Sequence, residues 1–189
     1  IKYDEERAAA SFDRIDDLFA KNELFSSRLI EKSHSYTDED GNKLVGHLIY
    51  MDGAESKLQP GLIIYPGPYG NGGGKYERAV ARKYALNGMV VFLPDYFPGD
   101  HSEDVQEEVI DAISQYGPFL ADTNRSQKIA LLGLTQLKSL DFVDSDNVAA
   151  IGFCFGGAMT LNMARAGGSV KVAISSHGEY PELGEVLGD

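Results

Sequence analysis

The chain has a single cysteine, and its neighbourhood is the most chemically suggestive stretch of the sequence. Val148-Ala149-Ala150-Ile151 has the apolar run of a buried strand. Gly152-Phe153-Cys154-Phe155-Gly156-Gly157 follows, and a helix is predicted from Phe155. The pattern G-x-C-x-G-G between a strand and a helix has the form of a nucleophile elbow, with Cys in the place of Ser. The residue at the apex of such a turn is held in a strained backbone conformation. Gly152 and Gly156 are expected to be small because strand and helix pass too close for side chains. The sulfur of Cys154 then projects over the first turn of the helix, where the dipole and the N–H groups favour a thiolate and can hold a developing oxyanion. The backbone N–H of Phe155 is the natural first oxyanion donor. An ordinary buried cysteine is the bland alternative, but it leaves the glycine spacing unexplained. A redox or thiol-binding role ranks last, because the elbow already accounts for the residue.

Other polar residues carry less. His177 lies just past an apolar run and so reaches the same rim, either as an out-of-order base or, the preferred reading, as a histidine hydrogen-bonded to a neighbouring loop. His101, with Asp95 and Asp100, either faces the rim or, the preferred reading, belongs to a solvated turn. His34 and His47 fall on a hairpin and are assigned no chemistry. Gly72-Gly73-Gly74 lacks the G-K-[ST] of a phosphate loop and the spacing of a dinucleotide fingerprint, so it reads as a flexible rim loop. The acidic stretch 103–111 reads as a solvated helix face rather than a metal site.

The elements that must position Cys154 follow from periodicity. Residues 4–27 place Ala8, Phe12, Ile15, Leu18 and Phe19 at helical spacing, which predicts an N-terminal helical arm over 1–27 whose apolar stripe docks on its own domain or on a partner. Strand-like stretches at 28–36 and 43–51 flank the turn-rich 37–42, a hairpin. Buried strands are then predicted at 61–65, 89–93, 147–151 and 170–175. Helices are predicted at 75–87, 103–116, 123–140 and 155–166, with Gly88 as a helix stop. Alternating strands and helices imply right-handed crossovers and a mostly parallel sheet with helices on both faces. Ligands bind such sheets beyond the carboxyl ends of the strands, so the loops after Tyr65, Leu93, Ile151 and Ile174 share one rim.

Composition narrows the field. At 189 residues and 43% hydrophobic content, the chain suits one globular domain. A net charge of -12 repels phosphate backbones and makes nucleic acid an unfavourable partner. The longest apolar runs fall far short of the roughly 18 residues of a membrane span, so a soluble chain is expected. One cysteine excludes an internal disulfide, which favours cytoplasm or an organelle interior, and no Cys/His spacing suits a structural metal. The first residue, Ile1, is followed by charged helix-like sequence without an apolar signal core. This points to a chain trimmed, processed or numbered from an internal start.

The elbow, taken with an ordered set of further segments, resembles the dienelactone hydrolase family, α/β hydrolases with a cysteine in the elbow. The segments are Pro60-Gly61 and the strand that follows, the loop ending Tyr69-Gly70, the helix bearing Arg78, Arg82 and Tyr84, Gly88, Pro94-Asp95-Tyr96, and Ser175-Ser176-His177-Gly178. The resemblance spans residues 43–181 of a hydrolase domain over 28–189. It implies an α/β-hydrolase sheet, an ester or lactone substrate that is small and carries a carboxylate, covalent catalysis by Cys154, and no cofactor. The family's triad runs nucleophile, acid, histidine. Downstream of Cys154 the only histidine is His177, and residues 155–176 contain neither Asp nor Glu. The family's acid and histidine follow later strands and match no residue here, so the domain reads as incomplete at its C-terminal side, and negligible turnover is expected of these residues alone. Relatives also carry a glutamate and then an N–H donor where this chain has Gly67 and Pro68, and proline has no N–H to lend. A second oxyanion donor then falls to Tyr69 or Gly70. Two readings compete: a cysteine hydrolase of a small ester or lactone, and a catalytically silent hydrolase fold serving as a scaffold or accessory subunit. In either case the strand at 170–175 is expected to present an apolar edge, to be covered by further chain, a second polypeptide or a neighbouring subunit.

Overall fold

The computed structural model describes residues 28–67, 73–98 and 117–178. The expected helical arm over 1–27, the helix at 103–116, Asp100 and His101 lie outside them.

Strands β1 (Leu29–Thr37) and β2 (Lys43–Met51) form the expected antiparallel hairpin. Its turn is set by Asp38, whose Oδ1 accepts the N–H groups of Asp40 and Asn42 at 3.0 and 2.8 Å, while Gly41 adopts φ 82°. A short carboxylate that bonds the backbone ahead of it, followed by a glycine at positive φ, is what closes a turn of this kind. β2 pairs antiparallel with β4 (Val90–Leu93), and β4, β3 (Gln59–Tyr65), β5 (Val143–Phe153) and β6 (Val172–Ser176) run parallel in the order β1-β2-β4-β3-β5-β6. β3 and β4 are apolar and buried on both faces, as central parallel strands must be.

Helix α1 (Lys75–Leu86) covers one face of the sheet, placing Ala81 and Ala85 against Ile49, Leu62, Ile64, Val91 and Leu93. It stops at Asn87-Gly88, with Gly88 at φ 87°. Helices α2 (Thr123–Lys138) and α3 (Phe155–Arg165) cover the other face. In α2 the buried positions Ser126, Ile129, Ala130, Gly133, Leu134 and Leu137 recur at one helical face, and the Asp122 carboxylate caps the N–H of Arg125 at 3.0 Å. The mostly parallel α/β sheet with helices on both faces is therefore as expected.

β5 begins at Val143, earlier than its apolar run suggests. Val143 and Asp144 pair with Gln59 and Pro60 before a register shift at Pro60/Gly61. The cause is tertiary: the polar Asp144-Ser145-Asp146 stretch carries no strand signal of its own. At the far end of the sheet β6 pairs with β5 alone among the described residues. β6 starts at Val172 rather than 170 and is not the buried strand predicted there: Val172 and Ile174 are each 50% exposed, because no further strand among the described residues packs beside it.

Candidate active site

The four parallel strands end on one rim, and β5 delivers Cys154 to it. Cys154 is the N-cap of α3, exposed, with φ 53° and ψ −121°. No other non-glycine residue among those described has positive φ except His177, at 43°. Non-glycine residues hold such angles only where the surroundings over-determine them, and the surroundings are visible. A Cβ on Gly152 would run into the carbonyl of Gly156, and one on Gly156 would run into the carbonyl oxygens of Tyr65 and Pro66 at the end of β3. Gly157 faces Gly178, whose Cα would lie 2.8 Å from an added Cβ. The Cys154 carbonyl accepts the N–H groups of Gly157 and Ala158 at 2.9 and 3.3 Å, and its own N–H donates to the Ser176 carbonyl at 3.0 Å. Strand, tight turn and helix are thus locked to both neighbouring strands, β3 and β6.

The N–H groups of Gly157 and Ala158 are taken by the Cys154 carbonyl, whereas those of Phe155 and Gly156, at the very start of the first turn of α3, have no helix carbonyl one turn back to occupy them. Phe155 opens that turn. Its ring is buried against Tyr96 (5.3 Å between centroids) and Phe119 (6.1 Å), which anchors the residue whose N–H stands next to Cys154. His177 sits one residue past the Ser176 carbonyl that holds the elbow. Its Nδ1 lies 3.3 Å from Ser176 Oγ, and its side chain is exposed at the rim. Tyr69 lies outside the described residues, as does Gly70.

Two carboxylates beside the rim are buried, Asp95 against the sequence expectation. Asp95 is not part of a solvated turn: it is fully buried, and it accepts the N–H groups of Val45 (3.0 Å), Tyr96 (2.8 Å) and Phe97 (3.3 Å). Tyr36 donates its hydroxyl to the Asp95 carbonyl at 3.0 Å. Burial pushes the Tyr36 phenol well above its ordinary pKa and keeps it a neutral donor. Asp95 fastens the loop after β4 to β2, and no local signal announces a partner fifty residues away. Glu77, on α1, is also buried and bonds Gly67 and Gly74. The spacing Gly74-x-x-Glu77 is half of a capping box and is the one sequence signal that would have found it. Gly73 and Gly74, read as part of a flexible rim loop, are instead tied down, Gly73 by Arg78 Nε on its carbonyl at 3.0 Å. His34 stays on the hairpin, with Nε2 3.3 Å from Gln136 Oε1. Among the described residues no cluster of three His, Cys, Asp or Glu could hold a metal, and no helix is long and apolar enough to cross a membrane.

A strained residue on a strand-to-helix turn at the carboxyl edge of a parallel sheet, with glycines at each close approach, defines an α/β-hydrolase-like protein. Solved structures agree. A dienelactone hydrolase-like promiscuous phosphotriesterase from metagenomic libraries superposes with a TM-score of 0.70 at 26% identity over 81% of this chain. The protein m3DLH does so at 0.67 and 27% over 78%, and an acetyl xylan esterase from a Paenibacillus species at 0.58 and 19% over 78%, a likeness of fold. The sequence model of the dienelactone hydrolase family matches residues 49–186, and the chain belongs to that family. It spans 61%, 59% and 48% of the lengths of the three structures. No curated protein sequence matches it significantly.

Proposed function

We propose that the chain carries the nucleophile-bearing part of a hydrolase that cleaves a small ester or lactone through Cys154. The observation that carries this reading is the exposed sulfur at φ 53°, ψ −121° on the N-cap of α3. Its support is membership of a hydrolase family together with hydrolase folds among the solved structures. The competing scaffold reading draws no support from these comparisons.

In the proposed mechanism the Cys154 thiolate adds to the substrate carbonyl. A C–S bond forms, and the carbonyl π pair moves onto oxygen, where the Phe155 N–H and a second donor, assigned to Tyr69, hold it. Collapse expels the alkoxide, which takes a proton and leaves as alcohol or, from a lactone, stays attached as the opened hydroxy acyl chain. Water then cleaves the thioester to the acid and the free thiol. Proton transfer in both halves is the task of a histidine oriented by a carboxylate. His177 is placed at the rim of this site with no proton-transfer role assigned to it.

The first half-reaction is testable on this chain with an activated ester, whose leaving group needs no protonation. p-Nitrophenyl acetate is expected to release one equivalent of nitrophenolate and to leave one acetyl group on the peptide containing Cys154. Cys154→Ala is expected to abolish both. Acetylation spread over lysines, or unchanged release from Cys154→Ala, would overturn the assignment.

A further inference from the structure

Glu77 is only 4% exposed. A buried carboxylate has to be met by donors, and among the described residues its donors are two backbone groups: Oε1 takes the N–H of Gly67 at 3.1 Å, and Oε2 takes the N–H of Gly74 at 3.1 Å. The second bond is helix-start chemistry, since Glu77 is the third residue of α1 and Gly74 its N-cap. The first bond does something else, reaching from α1 to the end of β3.

Pro66 and Gly67 share a peptide unit, and that unit is gripped at both ends. Its N–H is held by Glu77, and its carbonyl accepts the hydroxyl of Tyr96 at 3.1 Å, from a side chain only 1% exposed. Rotating the peptide plane would break both buried bonds. The same Pro66 oxygen lies against the elbow, 2.5 Å from where a Cβ of Gly156 would stand, so Gly156 and the first turn of α3 seat directly on it. Tyr96 closes the circle by packing its ring on Phe155. The carboxylate on α1 therefore acts on the helix start beside Cys154 through a single peptide plane.

Resting on the reading of Cys154 as the nucleophile, we propose that Glu77 is a positioning residue of that site: it fixes the Pro66–Gly67 peptide against the first turn of α3 and so sets the geometry in which the oxyanion is held. Glu77 itself moves no proton. A corollary is that the Gly67 N–H, committed to Glu77, is not an oxyanion donor.

Two thiol reagents separate this role from a merely structural one. Attack on p-nitrophenyl acetate builds an oxyanion at the reacting carbon, whereas alkylation by iodoacetamide displaces iodide and builds none. Glu77→Gln keeps the size but offers one acceptor oxygen for two N–H groups. It is expected to slow acetylation of Cys154 by about tenfold or more, given that small misplacements of catalytic geometry cost up to about a hundredfold, while alkylation stays within about twofold of wild type. Tyr96→Phe, which frees only the carbonyl side and keeps the ring, is expected to show the same split to a smaller degree, and it carries the test if Glu77→Gln fails to fold. Equal losses with both reagents, or no change with either, would overturn the proposal. A wild-type chain that alkylates normally at Cys154 but is not acetylated there would instead overturn the nucleophile reading on which the proposal rests.

Discussion

Gly156→Ala is the sharpest test of the packing that holds Cys154 in place. The new Cβ would fall inside the Tyr65 carbonyl oxygen and 2.5 Å from that of Pro66, backbone atoms at and just past the end of β3, a strand bonded on each side to a neighbour. No rotamer change relieves such a contact. α3 has to lift from the sheet by more than about 1 Å, since returning the Pro66 contact alone to an ordinary carbon–oxygen separation of roughly 3.3 Å takes nearly that much and the Tyr65 contact is closer still. That shift drags Phe155, Met159 and Met163 out of the core they fill. Overpacking costs about 1–3 kcal/mol where neighbours can adjust, and two rigid elements place this case at the upper end. Alanine returns about 0.5–1 kcal/mol of helix preference, leaving a net loss of about 2 kcal/mol. With a urea slope of about 2 kcal/mol/M, the midpoint should fall by about 1 M at unchanged slope. Gly133→Ala is the control. Its Cβ would meet side-chain carbons of Pro94 at 2.8 and 3.2 Å instead of backbone, so its loss should be smaller. If Gly156→Ala unfolds within about 0.5 kcal/mol of wild type, the close approach is not what shapes the elbow.

Cys154→Gly should stabilise the chain by about 1 kcal/mol, since a non-glycine residue in this region stores about 1–3 kcal/mol and glycine returns part of it through the unfolded state. A thermal melt about 2–4 °C above wild type would show this, and a melt below that of Cys154→Ala would contradict it. Asp95→Asn leaves a carboxamide nitrogen facing a backbone N–H and is expected to cost about 2–3 kcal/mol in urea denaturation; a neutral substitution would mean the clamp to β2 is idle. Burial raises the phenol pKa values of Tyr36, Tyr65 and Tyr96 above the ordinary value. The folded state therefore keeps protons that the unfolded state releases, and stability is fully present below about pH 10 and lost above it. Absorbance titration should show these three buried phenols ionising only as circular dichroism reports unfolding. Ionisation of all phenols without unfolding would refute the burial argument.

The parts legible in the sequence are those with a local cause. Apolar runs of five residues gave β3 and β4, Gly88 ended α1, and the glycines around Cys154 marked the tight turn from β5 into α3, because each signal and its consequence lie within one turn of chain. What stayed hidden has partners far away in sequence. Val143 and Asp144 become strand only because Gln59 and Pro60 lie alongside. Asp95 reads as solvated until Val45 and Tyr36 close over it. Glu77 occupies a position that periodicity leaves polar, and it is buried because the end of β3 passes over it. Polar residues whose burial is imposed by tertiary contacts are the ones a periodicity argument misplaces.

These hidden contacts account for how strain is maintained at the rim. Cys154 and His177, the two non-glycine residues at positive φ among those described, stand at the ends of adjacent strands and are joined through the Cys154 N–H to Ser176 carbonyl bond. Gly157 and Gly178 pack against each other immediately below them. Relaxing either residue would therefore disturb the other, and relaxing Cys154 would also press α3 onto the Pro66–Gly67 peptide that Glu77 and Tyr96 hold. Presentation of the sulfur is thus over-determined from three strands and two helices. Proton transfer is not: His177 bonds only the neighbouring Ser176 hydroxyl through Nδ1 in the contacts described. On the proposed reading of Cys154 as the nucleophile the two functions are separable, and a single reaction with an activated ester followed by slow turnover is the expected outcome for these residues.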